Sequence, residues 1–388
     1  MKKNFIPYGK HQISEEDIQS VVNTLKSSHI TQGSAVPQFE ENISKKVLSK
    51  YSICVNSATS ALHLACLALE VSKGDIVWTT PISFVASANC ALYCGAKIDF
   101  VDINPLSGLV NVDDLELKLE DAFKKNKLPK VFIPVHLAGT SCDMERIYDL
   151  SKKYGFSIIE DASHAIGGTY KDKPIGCCAY SSITVFSFHP VKIITSGEGG
   201  AATTNDPIIA EKLKMLRSHG IVKEESKFIG QKLGSWYYEQ QSLGFNYRMN
   251  DIQASLGLSQ LKRLDIIVKE RNRQLDFYKK IFSELPITFL EAPPFVYSSV
   301  HLAIIRLNDQ VASKYFDLFE GLINSDIGVQ LHYFPIYRNP FYQKFNFNYL
   351  DFPGSEDYAS RSMSIPLFPG LSKNQQLRVK ETFEKLLK

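Results

Sequence analysis

The feature that most constrains the fold of this chain is a regular alternation between residues 51 and 204. Short apolar segments alternate there with longer segments whose apolar residues recur at helical spacing. The predicted strands cover residues 51–55, 76–80, 97–101, 131–136, 156–159, 181–186 and 200–204. Strands that alternate with helices usually form a parallel sheet, because each crossover helix packs back onto it. The sequence therefore predicts an α/β fold with a large, mostly parallel, seven-stranded sheet.

The segments on either side of this alternation have other patterns. Helices are predicted over residues 14–28 and 36–48 before it, and after it the predicted elements are a long helix over 251–282, strands over 300–307 and 329–333, and a helix over 373–387. A chain of 388 residues exceeds what one hydrophobic core usually holds. We therefore expect a large α/β domain over residues 1–257 and a small α+β domain over residues 258–388.

Two further segments carry specific expectations. The sequence Pro81–Phe84 is predicted to open a helix that runs to Gly95. Residues 221–241 are polar and rich in Lys, Gln and Tyr, so we interpret them as a mobile or interface-forming loop.

Composition excludes several classes of protein. The 44 basic and 41 acidic residues give a net charge of +3, too small and too scattered to indicate a nucleic-acid-binding surface. The seven cysteines are odd in number and form no C-x-x-C pair, which favours reduced thiols over disulfides, and no metal site is expected. Because no secretory signal or membrane-spanning run is recognised, we expect a cytoplasmic protein.

A single lysine stands out within residues 181–200. Lys192 follows an apolar strand and lies among Pro190, Val191, Ile193 and Ile194. Burial of an amine disfavours its charged form and lowers its pKa, so that the side chain can act as a nucleophile or form a Schiff base. The alternative is a surface lysine whose methylene stem lies along apolar residues.

Polar and aromatic side chains follow the ends of four predicted strands. They are Thr59, Ser60, Phe84, Asp161, His164 and Ser187. Because ligands of such sheets bind at the carboxyl ends of the strands, we expect these side chains to converge with Lys192. Each also has an ordinary explanation: a helix cap, a core histidine, a core aromatic or a strand hydroxyl.

Together these groups meet the four requirements of pyridoxal 5′-phosphate, which are an amine, a carboxylate for the ring nitrogen, a phosphate cup and an aromatic ring to stack on. In this hypothesis Lys192 forms the Schiff base and Asp161 pairs with the ring nitrogen. His164 binds the phenolic oxygen and Phe84 covers one ring face. Thr59, Ser60 and Ser187 would hold the phosphate, two of them at a helix start, where free N–H groups attract anions.

Six motifs in order give this chain a resemblance to a known family. They are Asn-Ser-Ala-Thr-Ser-Ala-Leu from residue 56, Thr-Pro-Ile-Ser-Phe from 80, Glu-Asp-Ala-Ser-His from 160, Ser-Phe-His-x-x-Lys from 187, Gly-Glu-Gly-Gly from 197 and Asn-Tyr-Arg-Met-Asn from 246. The chain resembles the DegT/DnrJ/EryC1/StrS sugar aminotransferases over nearly its whole length. The resemblance implies the pyridoxal-phosphate-dependent fold type I, similar to that of aspartate aminotransferase.

The resemblance also implies roles for individual residues. Lys192 and Asp161 would be catalytic, and the cofactor would contact Ala58, Thr59, Ser60, Phe84, Asp161, His164, Ser187, Lys192 and Asn246. The sugar nucleotide would contact Tyr8, Ser28, His29, Ile30, Thr31, Ala58, Ser187, Asn246, Leu331, His332, Tyr333 and Phe334. Asn246 would reach the cofactor phosphate of a partner subunit, which implies a homodimer with shared active sites.

Some relatives carry histidine in place of the lysine and dehydrate the sugar, so Lys192 favours transamination. The resemblance implies transfer of an amino group from L-glutamate to C4 of a UDP-linked 4-keto-6-deoxy-N-acetyl hexosamine. Two alternatives remain open: an aminotransferase acting at C3 or C4 of a dTDP- or GDP-linked sugar, and a regulator of the same fold without turnover.

Overall fold

The computed structural model describes residues 5–388. The expectation that the N-terminus is no secretory signal rests partly on Lys2 and Lys3, which lie outside the described residues. The helices are α1 Glu15–Leu25, α2 Ala35–Val47, α3 Ala58–Ala68, α4 Ala86–Tyr93, α5 Val112–Lys124, α6 Met144–Tyr154, α7 Pro207–Arg217, α8 Asp251–Leu261, α9 Leu264–Ile281, α10 Tyr315–Asn324, α11 Pro353–Arg361 and α12 Lys373–Leu387.

The strands are short, as the sequence predicts. They are β1 Tyr51–Val55, β2 Ile76–Thr79, β3 Lys97–Phe100, β4 Val131–Ile133, β5 Ser157–Asp161, β6 Thr169–Tyr170, β7 Lys173–Pro174, β8 Ile183–Ser187, β9 Gly200–Thr204, β10 Ile221–Val222, β11 Glu239–Gln240, β12 Ile287–Phe289, β13 Val296–Tyr297, β14 Ala303–Leu307 and β15 Ser362–Ile365.

The central sheet has seven strands in the order β1-β9-β8-β5-β4-β2-β3. Strand β9 runs antiparallel to both of its neighbours, β1 and β8, whereas β8, β5, β4, β2 and β3 are parallel. Strand β9 is antiparallel because the chain returns directly from β8 through residues 188–199 without a crossover helix. The predicted mostly parallel sheet is confirmed.

Helices cover the central sheet on both faces, with α3 on one side and α5 and α6 on the other. The residues of α3 are almost all apolar, and eight of its eleven are buried between the sheet and its neighbouring helices. Apolar clusters pack on the two faces of this sheet, one of them containing Val77, Ile133 and Val185 and another containing Phe132 and Ile158. Successive residues of β4 thus face opposite sides of the sheet, and both sides are buried.

The C-terminal part of the chain has a sheet of its own. Strands β12, β14 and β15 form an antiparallel sheet whose apolar cluster includes residues of α9, α10 and α12. Ile6, which pairs with Ile327, belongs to this cluster, whereas Ile336 and Tyr342 pack on the core of the central sheet. The boundary between residues 257 and 258 stays a prediction.

Three predicted elements differ from the structure. The helix expected over 251–282 is two helices, because the Arg263 N–H donates to the Gln260 carbonyl, three residues back, and its guanidinium reaches Asp17. The helix expected from residue 81 begins at Ala86. The strand expected over 329–333 is only a single bridge, between Gln330 and Ser364, because His332 and Tyr333 turn toward a cavity.

Residues 221–241 contain a two-stranded hairpin, in which β10 pairs with β11. Ile229, Leu233 and Trp236 are largely exposed there. The interpretation of this segment as mobile or interface-forming stays a prediction. Within residues 5–388, no helix is both long enough and apolar enough to span a bilayer.

Candidate active site

A cavity of about 470 Å³ lies at the carboxyl ends of β1, β2, β5 and β8. The wall of this cavity is formed by Tyr8, Ser57, Ala58, Thr59, Leu62, Ser83, Phe84, Ala86, Val135, Asp161, Ser163, His164, Ser187, His189, Val191, Lys192, Glu198, His301, His332 and Tyr333. The strand ends named from the sequence therefore converge, as expected for a sheet of this topology.

Lys192 lies in the loop between β8 and β9. Its side chain is partly buried and lines the cavity. Phe188 and Ile194, which precede and follow it in the sequence, are fully buried. Burial lowers the pKa of the amine to about 8, and the charge of Asp161 offsets part of that shift. About a tenth of the amine is therefore unprotonated at pH 7 and about half at pH 8, and the unprotonated form is the one that a nucleophile or a general base requires.

Asp161 ends β5 and is buried. Its Oδ2 accepts a hydrogen bond of 2.6 Å from the Ser87 hydroxyl, and its Oδ1 accepts one of 3.1 Å from the Ser163 N–H. Ser83 Oγ lies 2.6 Å from Ser87 Oγ, so two serines extend the network. A carboxylate held on both oxygens keeps one orientation toward the cavity.

His164 is buried and its protonation follows from its partners. Nδ1 accepts a hydrogen bond of 3.3 Å from the Ala138 N–H, so the ring proton lies on Nε2, which is 3.1 Å from the Tyr333 hydroxyl. Burial holds the pKa of His164 well below its usual value, and the charge of Lys192 lowers it further. The imidazole is therefore neutral and donates to Tyr333.

The start of α3 forms an anion-binding cradle. Ser57 caps the helix by accepting from the Ser60 N–H, while the N–H groups of Ala58 and Thr59 have no partner among the described residues. Gly200 allows this approach of β9 to the helix, because a Cβ there would lie 2.5 Å from the Ala58 nitrogen. The helix dipole and free N–H groups at the cavity wall favour a phosphate.

Most of the residues that the sequence nominates lie in this wall. They are Tyr8, Ala58, Thr59, Phe84, Asp161, His164, Ser187, Lys192, His332 and Tyr333. The structure thus places both proposed catalytic residues and seven of the nine proposed cofactor contacts around one cavity. Their individual roles remain predictions.

The remaining nominated residues lie outside the wall of this cavity. They are Ser28, His29, Ile30, Thr31, Ser60, Asn246, Leu331 and Phe334. The Ser60 hydroxyl, in the first turn of α3, donates to Asn56 Oδ1 at 2.7 Å. Residues 28–31 are exposed, and the Ile30 carbonyl accepts from the Asp251 N–H beside α8. That Asn246 acts in a partner subunit stays a prediction.

Sequence reasoning missed several residues of the wall. They include Ser83, Glu198 and His301, together with Ser87 behind Asp161. Ser83 and Glu198 belong to two of the quoted motifs. Ser87 follows Phe84 by three residues, a spacing that could have placed both near one surface. His301 had no local signal, because it reaches the cavity from the C-terminal part of the chain.

Comparison with known proteins assigns this chain to one family. The model of the DegT/DnrJ/EryC1/StrS aminotransferase family matches residues 11–384. The chain belongs to this family. The family assignment confirms the resemblance found in the motifs and the expected fold.

Individual members of the family cover almost the whole chain. The UDP-4-amino-4,6-dideoxy-N-acetyl-β-L-altrosamine transaminase of Campylobacter jejuni is 38% identical over 98% of this chain and 97% of its own. Helicobacter pylori PseC, an aminotransferase of pseudaminic acid biosynthesis, superposes with a TM-score of 0.90 at 32% identity and covers 99% of both chains. Spr1654 of Streptococcus pneumoniae in its PMP form also gives 0.90, at 30% identity, over 98% of this chain and 99% of its own.

Members of this family depend on pyridoxal phosphate, and the residues of the cavity fit it. The α3 cradle offers two free N–H groups at a helix start, and Gly200 leaves the space beside them. Lys192 supplies an amine of lowered pKa, and Asp161 supplies a carboxylate already oriented by Ser87. The chain is a pyridoxal-phosphate-dependent sugar aminotransferase.

Proposed function

We propose that this protein transfers an amino group from L-glutamate to C4 of a UDP-linked 4-keto-6-deoxy-N-acetyl hexosamine and so forms a UDP-4-amino-4,6-dideoxy sugar. The observation that carries the proposal is the shared cavity of Lys192 and Asp161 next to the α3 cradle. The choice of sugar is supported by the altrosamine transaminases of C. jejuni and H. pylori, which are 38% and 36% identical to this chain.

In the proposed reaction Lys192 moves the protons. When bound, pyridoxal phosphate supplies an aldehyde that bonds to amines and a ring that accepts electron density from the substrate carbon. Lys192 Nζ takes the proton from Cα of glutamate in the first half of the reaction, and in the second half it delivers a proton to C4 of the sugar. A lysine with a pKa of about 8 serves as a base and as an acid near neutral pH.

The other residues of the wall orient the reacting groups. Asp161 would hold a protonated ring nitrogen, since its carboxylate faces the cavity with Ser87 and Ser163 behind it. His164 would hold the cofactor's phenolic oxygen. Phe84 would cover the ring face, and it lies 6.2 Å from Tyr333, centroid to centroid. Closure of this aromatic wall would exclude water from the reacting carbon.

Binding of the sugar nucleotide is assigned to residues on both sides of the cavity. Tyr8 and His332 lie in the wall, with their ring centroids 5.2 Å apart. Residues 28–31, which lie outside the wall, would also contact the sugar nucleotide. Asn246 would act on the active site of a second copy, so the proposal includes a homodimer with shared sites. A cytoplasmic location is part of the same proposal, and the free state of all seven cysteines supports it.

A product assay tests the proposal. The protein is incubated with L-glutamate and, in separate reactions, with UDP-, dTDP- and GDP-linked 4-keto and 3-keto sugars, and products are identified by mass spectrometry. We expect the UDP-linked 4-keto-6-deoxy-N-acetyl hexosamine to give the largest kcat/KM. A larger value with a dTDP- or GDP-linked sugar would contradict the choice of substrate. Failure with every sugar and with glutamate would support a regulator without turnover.

A further inference from the structure

The proposed reaction assigns no role to His301, a buried side chain in the cavity wall. It lies two residues before β14, is 3% exposed, and its Nδ1 has no hydrogen-bond partner among the described residues. Buried polar atoms are nearly always paired, because an unpaired one has lost its water without gaining another partner. Nδ1 is sealed from solvent, so a ligand in the cavity that His301 lines would meet the ring at Nε2, which forms no hydrogen bond with another residue in the range 5–388.

The position of His301 is fixed by its main chain. Its N–H donates 2.8 Å to the Ala138 carbonyl, and its own carbonyl accepts 3.1 Å from Arg271 Nη1. Its ring lies 4.4 Å from that of His164, centroid to centroid, at an interplanar angle of 50°. The imidazole is therefore held in place before any substrate arrives.

The groups around His301 are mainly basic. Burial holds the pKa of His301 well below its usual value, and the positive charges of Lys192 and Arg271 lower it further. Arg271 is buried, and its Nη1 donates to three main-chain carbonyls, those of Val300, His301 and Leu367. The cation therefore adds positive potential behind the imidazole.

The cavity wall also contains two carboxylates, Asp161 and Glu198. Asp161 accepts hydrogen bonds from Ser87 and Ser163, and these hold its carboxylate in place. Glu198 is exposed. The side of the cavity at His301 therefore combines an unpaired imidazole with neighbouring cations, and the chemical group that such a place binds best is an anion.

We infer that His301 binds a carboxylate group of the amino-acid donor and holds the donor with its amine toward Lys192. This inference rests on the proposed function, because glutamate is the donor named there. A bound carboxylate stabilises the protonated imidazole. Binding of the donor at neutral pH therefore takes up a proton at His301, where the empty cavity keeps the ring neutral.

Binding of glutarate to the holoenzyme tests this inference without turnover, because glutarate has both carboxylates of glutamate and no amine. PIPES and Tris differ in ionisation enthalpy, so the difference between the binding heats in the two buffers gives the number of protons taken up when glutarate binds. We expect the wild type to take up protons on binding. His301→Phe should weaken glutarate binding by at least about tenfold, because a charge-assisted hydrogen bond is lost, and should abolish the uptake.

His301→Gln is the matched variant, because it keeps an N–H donor that cannot titrate. It should bind glutarate within about threefold of the wild type, without proton uptake. Thermal unfolding checks that both variants fold. If the Phe variant does not fold, the inference is tested by glutarate binding to the Gln variant and by proton uptake in the wild type. Equal affinity in the wild type and the Phe variant, or a wild type that takes up no proton, would overturn the inference.

Single-turnover reactions separate this inference from the proposed function. His301→Phe should raise the glutamate concentration at half-maximal rate by about tenfold and alter the reaction with the keto sugar much less. Equal impairment of both halves would overturn the assignment to the donor. A wild type that reacts with glutamate but with no keto sugar would refute the proposed sugar and leave His301 as the donor anchor.

Discussion

The Ser87 hydroxyl donates a hydrogen bond of 2.6 Å to Oδ2 of Asp161, and both side chains are buried. Ser87 lies on α4, which follows β2, whereas Asp161 ends β5. Two parts of the chain 74 residues apart therefore meet at the carboxylate proposed to hold the cofactor ring. Hydrogen bonds to ionised groups are the stronger kind, so this contact fixes the orientation of Asp161.

Removal of the Ser87 hydroxyl should impair the reaction through Asp161. We expect Ser87→Ala to lower kcat by about tenfold, because a charge-assisted hydrogen bond is lost from a buried carboxylate. Ser87→Thr keeps the hydroxyl and should retain most of the activity. The absorption spectrum of the bound cofactor is measured with kcat, and Ser360→Ala, an exposed serine on α11, serves as the control. Equal activity of the Ala and Thr variants would contradict a positioning role.

Replacement of Lys192 tests the central assignment. Lys192→Ala should remove the absorbance of the covalently held cofactor and lower turnover by about a thousandfold or more, because both the nucleophile and the proton carrier are lost. The matched control is Lys45→Ala, a lysine that pairs with Glu41 on the surface of α2. Turnover of the Lys192 variant at the wild-type rate would show that another residue carries the chemistry.

The lowered pKa of Lys192 predicts how fast the apoprotein captures its cofactor at different pH values. Burial lowers this pKa to about 8, and only the unprotonated amine attacks an aldehyde, so the capture rate should rise with pH through a midpoint near 8. Stopped-flow absorbance after addition of pyridoxal phosphate measures that rate.

Asp161→Asn provides the internal comparison for this midpoint. The charge of Asp161 raises the pKa of Lys192, so its removal should move the midpoint below that of the wild type. A wild-type midpoint near 10.5, the usual pKa of a lysine side chain, would indicate that the amine is not desolvated as the structure describes.

The shared active site can be tested by mixing two inactive variants. If Asn246 completes the site of a partner subunit, Lys192→Ala and Asn246→Ala should each be inactive or nearly so. Random exchange of subunits then gives heterodimers with one intact site, which restores about one quarter of the wild-type activity. Gel filtration confirms the dimer. No recovery after demonstrated exchange would place both residues in the same site of one subunit.

Much of the site was predictable because it lies in short segments with a fixed place in the sheet. Lys192, Asp161 and Thr59 each follow a strand, and the carboxyl ends of parallel strands lie at one edge whatever the details of packing. His301 was not predictable in this way. It approaches from a separate antiparallel sheet, and its distance from His164 depends on how that sheet packs.

Local patterns also failed where tertiary contacts override them. The helical pattern over 251–282 continues across the break at Arg263, but the guanidinium of that residue reaches the buried carboxylate of Asp17. The alternation over 329–333 resembles a strand, yet His332 turns so that its Nδ1 lies 2.7 Å from the Ser364 hydroxyl. In both cases the partner is distant in the sequence, so no local window contains it.

The sequence by itself determined the α/β sheet, the order of its motifs and the family, because hydrophobic periodicity and turn residues act over short distances along the chain. It also determined that a lysine, a carboxylate and a helix start would share one edge of the sheet. Only the tertiary structure decided that Ser87 orients Asp161, that the ring proton of His164 lies on Nε2, and that His301 faces the cavity unpaired. Hydrogen-bond partners and burial depend on atoms brought together from distant segments, and these set the electrostatics of the site.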